Sequence, residues 1–270
     1  MDEVPGVSKI AITGKGGVGK TTLCALLARA MALDGQRVIA IDADPDPNLG
    51  HALGFRRDTL QRVKPLSEMK DIIEERTGAR PGSLGGWFAL NPRVDDLPER
   101  LWIEREGIRL IIMGGIKAGG AGCACPETAI LKALLSHLVL ERHDTVLVDM
   151  EAGLEPLGRG AASGVGLLVV VVEPGIRSIN TALRIRELSK DIGIQRVGVV
   201  ANKIRAEADL RWIESSLEGM SILGWFPYDN GLVDADRDGV AVWEACPSFL
   251  ARVEEMKPLF FSPVPNNRMG

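Results

Sequence analysis

Short runs of β-branched and aliphatic residues recur along the chain: Ile10 to Ile12, Val38 to Ile41, Leu110 to Met113, Thr145 to Val148, Leu167 to Val172, Val197 to Ala201 and Ile222 to Phe226. Runs that are apolar on both faces predict buried strands of a mostly parallel sheet. Helical periodicity fills the intervals. Leu23, Leu26, Leu27, Ala30 and Met31 fall at i, i+3, i+4, i+7 and i+8, one stripe to lay on a sheet, and Gly35 supplies a stop. Further helices are expected near Pro126 to Leu140, Ser178 to Ile192, Asp209 to Leu217 and Pro247 to Met256.

The rhythm breaks between Gly54 and Gly107. A charged helical piece from Glu68 to Arg76, a Gly/Pro-rich turn from Gly78 to Gly86 and a hairpin through Glu104-Arg105-Glu106-Gly107 read as an insertion between strands. The fold class expected is α/β, a three-layer P-loop fold with a mostly parallel central sheet and helices on both faces. One domain over residues 1–261 is expected, with the insertion at 54–107 and a disordered tail at 262–270, where two prolines and two asparagines accumulate.

Composition narrows the function. With 46% apolar and 25% charged residues the chain has a globular make-up. A net charge of −4 and no Lys/Arg run exclude a field for nucleic-acid phosphates. Val165 to Val172, the longest strongly apolar stretch, is far short of the ~20 residues a spanning helix needs, and the acidic start, Met1 to Gly6, is unlike a signal peptide. A cytoplasmic protein with neither membrane nor nucleic acid as partner is expected. In that reducing setting the four cysteines do not imply disulfides, and Cys123 and Cys125, one residue apart in a glycine-rich stretch, point to metal.

The strongest chemistry is Gly14-Lys15-Gly16-Gly17-Val18-Gly19-Lys20-Thr21, followed by Thr22. It matches G-x-x-x-x-G-K-[ST] between a strand and an amphipathic helix, the context that gives the match meaning. Its glycines allow backbone N–H groups to wrap phosphates, Lys20 reaches the β/γ-phosphates and Thr21 is the magnesium ligand. Asp149 ends a buried strand and is the best acidic partner for the Mg²⁺ shell, with Ala152-Gly153 beyond it able to move with the γ-phosphate. A second cluster, Asp42-Ala43-Asp44-Pro45-Asp46, closes an earlier strand; Asp44 is favoured for orienting the attacking water and Asp42 for the metal shell. Asn202-Lys203 ends another strand as in N-K-x-D elements, but Arg205 stands where a guanine-reading Asp would be and offers no acceptor. ATP/ADP is therefore expected, with Asn202 pairing to the adenine edge.

Lys15 is surplus to a monomeric phosphate loop. Through Lys15, Gly16, Gly17, Gly19, Lys20 and Thr21 the chain resembles the deviant Walker A ATPases, patterned K-G-G-x-G-K-[ST]. The resemblance implies a homodimer in which the early lysine crosses to the partner's nucleotide, with Asp42-x-Asp44-Pro45 and Asp149-x-x-Ala152-Gly153 as the two switches. It makes Lys15, Lys20 and Asp44 the hydrolytic residues. Physically, a cation delivered in trans couples hydrolysis to dimerisation.

Within that family, Gly122-Cys123-Ala124-Cys125-Pro126 falls on the Cys-x-Cys pattern of the CooC-type nickel-insertion ATPases. The resemblance continues through Leu66 to Lys70, Asn91 to Val94 and Pro227-Tyr228, adding Pro227 to the nucleotide-binding set. It implies a client nickel enzyme, carbon monoxide dehydrogenase or a relative such as acetyl-CoA synthase. Thiolates suit tetrahedral Zn²⁺ or planar Ni²⁺ in sets of four, and one chain supplies two. Cys24 and Cys246 read as packing residues, and His51, His137 and His143 show no ligand spacing. A two-fold axis between two Cys123/Cys125 pairs would complete the set. Two other branches stay open, a spatial-positioning ATPase and an iron–sulfur reductase. The first in its membrane-binding form needs a basic amphipathic end helix, whereas the last helix here carries Glu254 and Glu255 and is expected to end at Pro258; the second draws its cysteines from separated loops.

Overall fold

A computed structural model describes residues 9–81, 87–114, 125–140 and 144–261. Its frame is an eight-stranded sheet: β1 (Lys9–Gly14), β2 (Val38–Asp42), β3 (Ile103–Arg105), β4 (Ile108–Ile112), β5 (Thr145–Asp149), β6 (Leu167–Val172), β7 (Val197–Ile204) and β8 (Ser221–Pro227). The order across it is β3-β4-β2-β5-β1-β6-β7-β8, and every neighbouring pair is parallel except β3 with β4. The antiparallel pair is the expected hairpin. Its turn places Glu106 and Gly107 at φ 52° and 80°, the left-handed geometry that suits the twist of a two-residue loop.

The longer helices are α1 (Lys20–Leu33), α2 (Lys70–Thr77), α3 (Pro126–Leu140), α4 (Ile176–Ile192), α5 (Glu207–Ser216), α6 (Gly231–Asp238) and α7 (Pro247–Phe261). Alternation along the strands divides the core between the two sheet faces. Ile10, Ile12, Val38, Ala40, Val169 and Val171 meet α1 and α7 on one side. Ala11, Ile39, Ile41, Val146, Val148 and Val170 join the cluster containing α3, α4 and α5 residues on the other. β1 and β5 are buried along their whole length, which is why their sequences show no polar face.

Two expectations are corrected, and two helices were not expected. The last helix does not stop at Pro258 but runs through it to Phe261. The helical piece near Glu68 is divided into a 3₁₀ turn at Leu66–Glu68 and α2 from Lys70. The helix α6 and the short helix Val242–Ala245 lacked a sequence signal: both are brief, and the apolar stripe of α6 is thin. The tail, the residues around Cys123, and His143 lie outside the described residues.

Candidate nucleotide site and cysteine cleft

The strand order puts the P-loop strand β1 between β5 and β6, so their carboxyl ends converge on one rim. Ile12 is in register with Asp149, Asp42 with Asp149, and Gly14 with Val171. Parallel α/β sheets bind ligands at that rim because strand ends and helix starts gather there. Two loop glycines are fixed by close approach. Gly14, at φ 148°, has no room for a Cβ against the Val171 carbonyl oxygen, and Gly19, at φ 99°, has none against the Asn202 amide.

Thr21 at the start of α1 donates a hydrogen bond of 2.6 Å to Asp149 Oδ2. The other oxygen, Oδ1, is buried with no hydrogen-bond partner among the described residues. Burial pushes the Asp149 carboxyl up to about 7; the Thr21 hydrogen bond and the charge of Lys20 pull it down, and Asp44 repels it. A hydroxyl and an orphaned carboxylate oxygen side by side are the hard-oxygen donors that Mg²⁺ prefers, so the residues fit that ion. Burial likewise raises Asp42, with Asp149 adding repulsion. Asp42 is already engaged: Oδ1 accepts from the Asp44 backbone N–H (3.2 Å) and Oδ2 from Leu49 N–H (2.8 Å). It thereby shapes the loop in which Asp44 accepts from Asp46 N–H (2.9 Å). Asp44 is close enough to the phosphate rim to raise both Asp149 and Glu151.

Lys20 is buried, and its Nζ lies 3.4 Å from the Lys15 carbonyl it helps to fold around. The Lys15 side chain is half exposed and pairs with Glu173 Oε1 at 3.6 Å. Lys203, a non-glycine residue at φ 58°, donates to Gly17 O (2.6 Å) and to Glu173 Oε2 (2.9 Å). Glu173 thus joins both lysines, a role no sequence pattern announces, because a lone Glu after a strand carries no motif.

Asn202 is 5% exposed; its Nδ2 donates to Val18 O (2.8 Å) and its Oδ1 accepts from Lys203 N–H (2.8 Å). The carboxamide braces the phosphate loop from β7, with one N–H and one lone pair still to offer. Beside it opens a cavity of about 310 Å³ lined by Thr22, Asn202, Pro227, Tyr228, Val233 and Val240. Val233 is 63% and Tyr228 42% exposed, an apolar mouth next to the phosphate loop where a flat base would find cover. The Arg205 guanidinium stacks 4.7 Å from the centroid of the Tyr228 ring, which lines this cavity.

On the far side of the Asp44 loop lies a second cavity of about 310 Å³, lined by Pro45, Pro47, Glu68, Cys125, Glu127 and Thr128. Cys125 immediately precedes α3, partly exposed, its Sγ 3.0 Å from Thr128 Oγ1. Cys24 and Cys246 are buried, and His51 lines the cavity beside Asn202. Cys123 lies outside the described residues, and no three His, Cys, Asp or Glu side chains among the described residues cluster as a metal site. Nor is any helix of the described residues long and apolar enough to cross a membrane.

This geometry agrees with what the chain is similar to. Residues 9–242 match the CobQ/CobB/MinD/ParA nucleotide binding domain. The carbon monoxide dehydrogenase accessory protein CooC of Rhodospirillum rubrum is 45% identical over 240 residues, 89% of this chain and 91% of that protein. An uncharacterized ATP-binding protein of Methanocaldococcus jannaschii is 44% identical over 230 residues, 84% and 88% of the two chains. Among solved structures, the MinC:MinD cell division complex of Aquifex aeolicus aligns with a TM-score of 0.65 at 25% identity, covering 97% of this chain and 98% of that one. A P-loop whose Thr21 meets Asp149 at the rim of this sheet, in a chain matched over residues 9–242, belongs to the CobQ/CobB/MinD/ParA family of P-loop ATPases.

Proposed function

We propose that this ATPase is a metallochaperone that acts as a homodimer, in the cytoplasm, to drive nickel insertion into carbon monoxide dehydrogenase or a related nickel enzyme such as acetyl-CoA synthase. In this reading ATP lies with its base in the cavity beside Asn202 and Pro227 and its phosphates in the loop from Gly14 to Thr22. Thr21 and Asp149 hold Mg²⁺, whose contribution is to neutralise phosphate charge. Lys20 binds the phosphates, Asp44 orients water, and Lys15 leaves Glu173 to reach the nucleotide of a second subunit. Cys123 and Cys125 of two subunits together offer four thiolates to the cargo, nickel or zinc.

The observation that carries this reading is that Pro45 and Pro47, which follow Asp44 in the same loop, wall the same cleft as Cys125. A change in that loop with the γ-phosphate alters the surroundings of the thiol directly, with no long relay. The 45% identity to an accessory protein of carbon monoxide dehydrogenase supports the choice of client class.

A positioning ATPase of the MinD kind is the second reading, favoured by the likeness to the Aquifex MinD complex. Metal content and molar mass, measured with and without a non-hydrolysable ATP analogue for wild type and Cys123→Ala/Cys125→Ala, separate the two. Loss of metal and of dimer together in the variant supports the shared site. Nickel affinity and stoichiometry identical in the two nucleotide states remove the coupling, and binding to anionic liposomes or DNA favours the second reading.

A further inference from the structure

Thr13, the residue before Gly14, belongs to no nucleotide motif, yet its side chain is wholly buried at the meeting point of β1 and the loop after β5. Its hydroxyl lies 2.7 Å from Glu151 O, 3.1 Å from Gly153 O and 3.3 Å from Gly153 N. A hydroxyl has one proton to give and lone pairs to receive. The shorter contact takes the proton, and the Gly153 N–H donates back to Oγ1. Among the described residues the main chain alone fixes only the beginning of this segment, where Ala43 N–H donates to Asp149 O at 2.9 Å and Met150 N–H to Ile12 O at 3.0 Å. Beyond that point the Thr13 hydroxyl holds the loop.

We propose that Thr13 is the positioning residue that keeps the Asp149-to-Gly153 loop in its resting place and withholds the Gly153 N–H from the nucleotide. This rests on the reading of Gly153 as a group that moves to the γ-phosphate. One N–H cannot serve Oγ1 and a phosphate oxygen fully at the same time, so γ-phosphate binding works against the Thr13 contact, whereas ADP has no such oxygen to offer. The hold is then a tax on ATP affinity set by the fraction of molecules in which the loop is already released. Glu151 O, freed at the same moment, is an exposed residue's carbonyl and can turn to water.

Thr13→Val keeps the β-branched shape that a strand prefers and deletes only the hydroxyl; Thr13→Ser keeps the hydroxyl. Affinities for ADP and for adenylyl imidodiphosphate, each with Mg²⁺, are measured for the three proteins. Loss of the net worth of one or two hydrogen bonds from the resting state alone should tighten the analogue relative to ADP by roughly three- to tenfold in Thr13→Val, and Thr13→Ser should keep the wild-type ratio. A structural role without the hold would shift both ligands alike, and that result overturns the proposal, as does no shift. Hydrogen exchange of residues 149–155 in the wild type needs no variant to fold: the analogue should change it and ADP should not. If neither ligand changes it, the γ-phosphate reading of Gly153 falls and the proposal with it. If the wild type responds but the Thr13→Val ratio is unmoved, only the role of Thr13 falls.

Discussion

The amino group of Lys15 stands 3.6 Å from the carboxylate of Glu173, the same carboxylate that accepts a 2.9 Å hydrogen bond from Lys203. The lysine that marks the loop therefore has a partner within its own subunit. With 36% of the Lys15 side chain and 24% of the Glu173 side chain exposed, the pair is screened and worth no more than about 1 kcal/mol. In the proposed dimer, a nucleotide phosphate in the closed interface would outcompete it. Lys15→Ala is expected to leave ATP affinity nearly unchanged while lowering turnover by at least about tenfold and weakening ATP-dependent dimerisation. Steady-state hydrolysis and light scattering check this, and unchanged turnover would falsify the in-trans role.

Asp149 gives the nucleotide-free protein a pH dependence of defined sign. Its carboxyl is held at about 7 in the fold, against roughly 3.9 in an unfolded chain. Between those values the folded state keeps a proton that the unfolded state has lost, so stability falls as pH rises and levels off above about pH 7. Asp42, raised for the same reason, adds to the slope. Asp149→Asn removes the titrating group: the difference in thermal stability between wild type and variant should shift in the variant's favour from pH 5 to pH 7.5, by up to a few kcal/mol. A difference that is flat with pH would contradict the assignment.

Gly19 tests the brace between β7 and the phosphate loop. A Cβ at φ 99° is strained and meets the Asn202 amide, which must leave Val18 O to make room. Gly19→Ala should cost about 1–3 kcal/mol of stability and abolish measurable nucleotide binding. Calorimetry on the folded variant reads both quantities; retained ATP affinity would mean that the Asn202 contact does not shape the loop.

With the base in the cavity beside Asn202, as proposed, ATP is expected over GTP. Arg205, stacked on Tyr228, supplies no acceptor for guanine's N1 and N2 protons. Competition with a fluorescent ATP analogue should show GTP weaker by at least about tenfold, the cost of leaving donors unpaired. In the proposed pose Tyr228 lies on the base side of the cavity, so Tyr228→Ala should weaken ATP and ADP equally; a loss confined to ATP would relocate Tyr228 to the interface.

Much of this was legible in the chain because the relevant signals are local. The strands from Ile10 to Phe226 announced themselves as runs apolar on both faces, the phosphate loop by glycines at fixed spacing between a strand and a helix, and the hairpin by Glu106-Gly107. These features arise from backbone sterics and burial acting over a few residues, and sequence records them directly. What tertiary structure decided are relations between distant residues. Glu173 and Thr13 carry no motif. The former is placed by the order of β6 and β7 across the sheet, which puts Lys15, Glu173 and Lys203 on one rim; the latter by β5 lying beside β1, which puts Glu151 and Gly153 over its hydroxyl. Asp42 and Asp149 looked alike as strand-end acids, and only packing separates them: the first is engaged by two backbone N–H groups, whereas the second keeps an orphaned oxygen beside Thr21. A sequence fixes which groups a chain owns, but which polar groups meet is set by strand order, because the cost of burying an unpaired donor or acceptor is met only where the folded chain brings its partner.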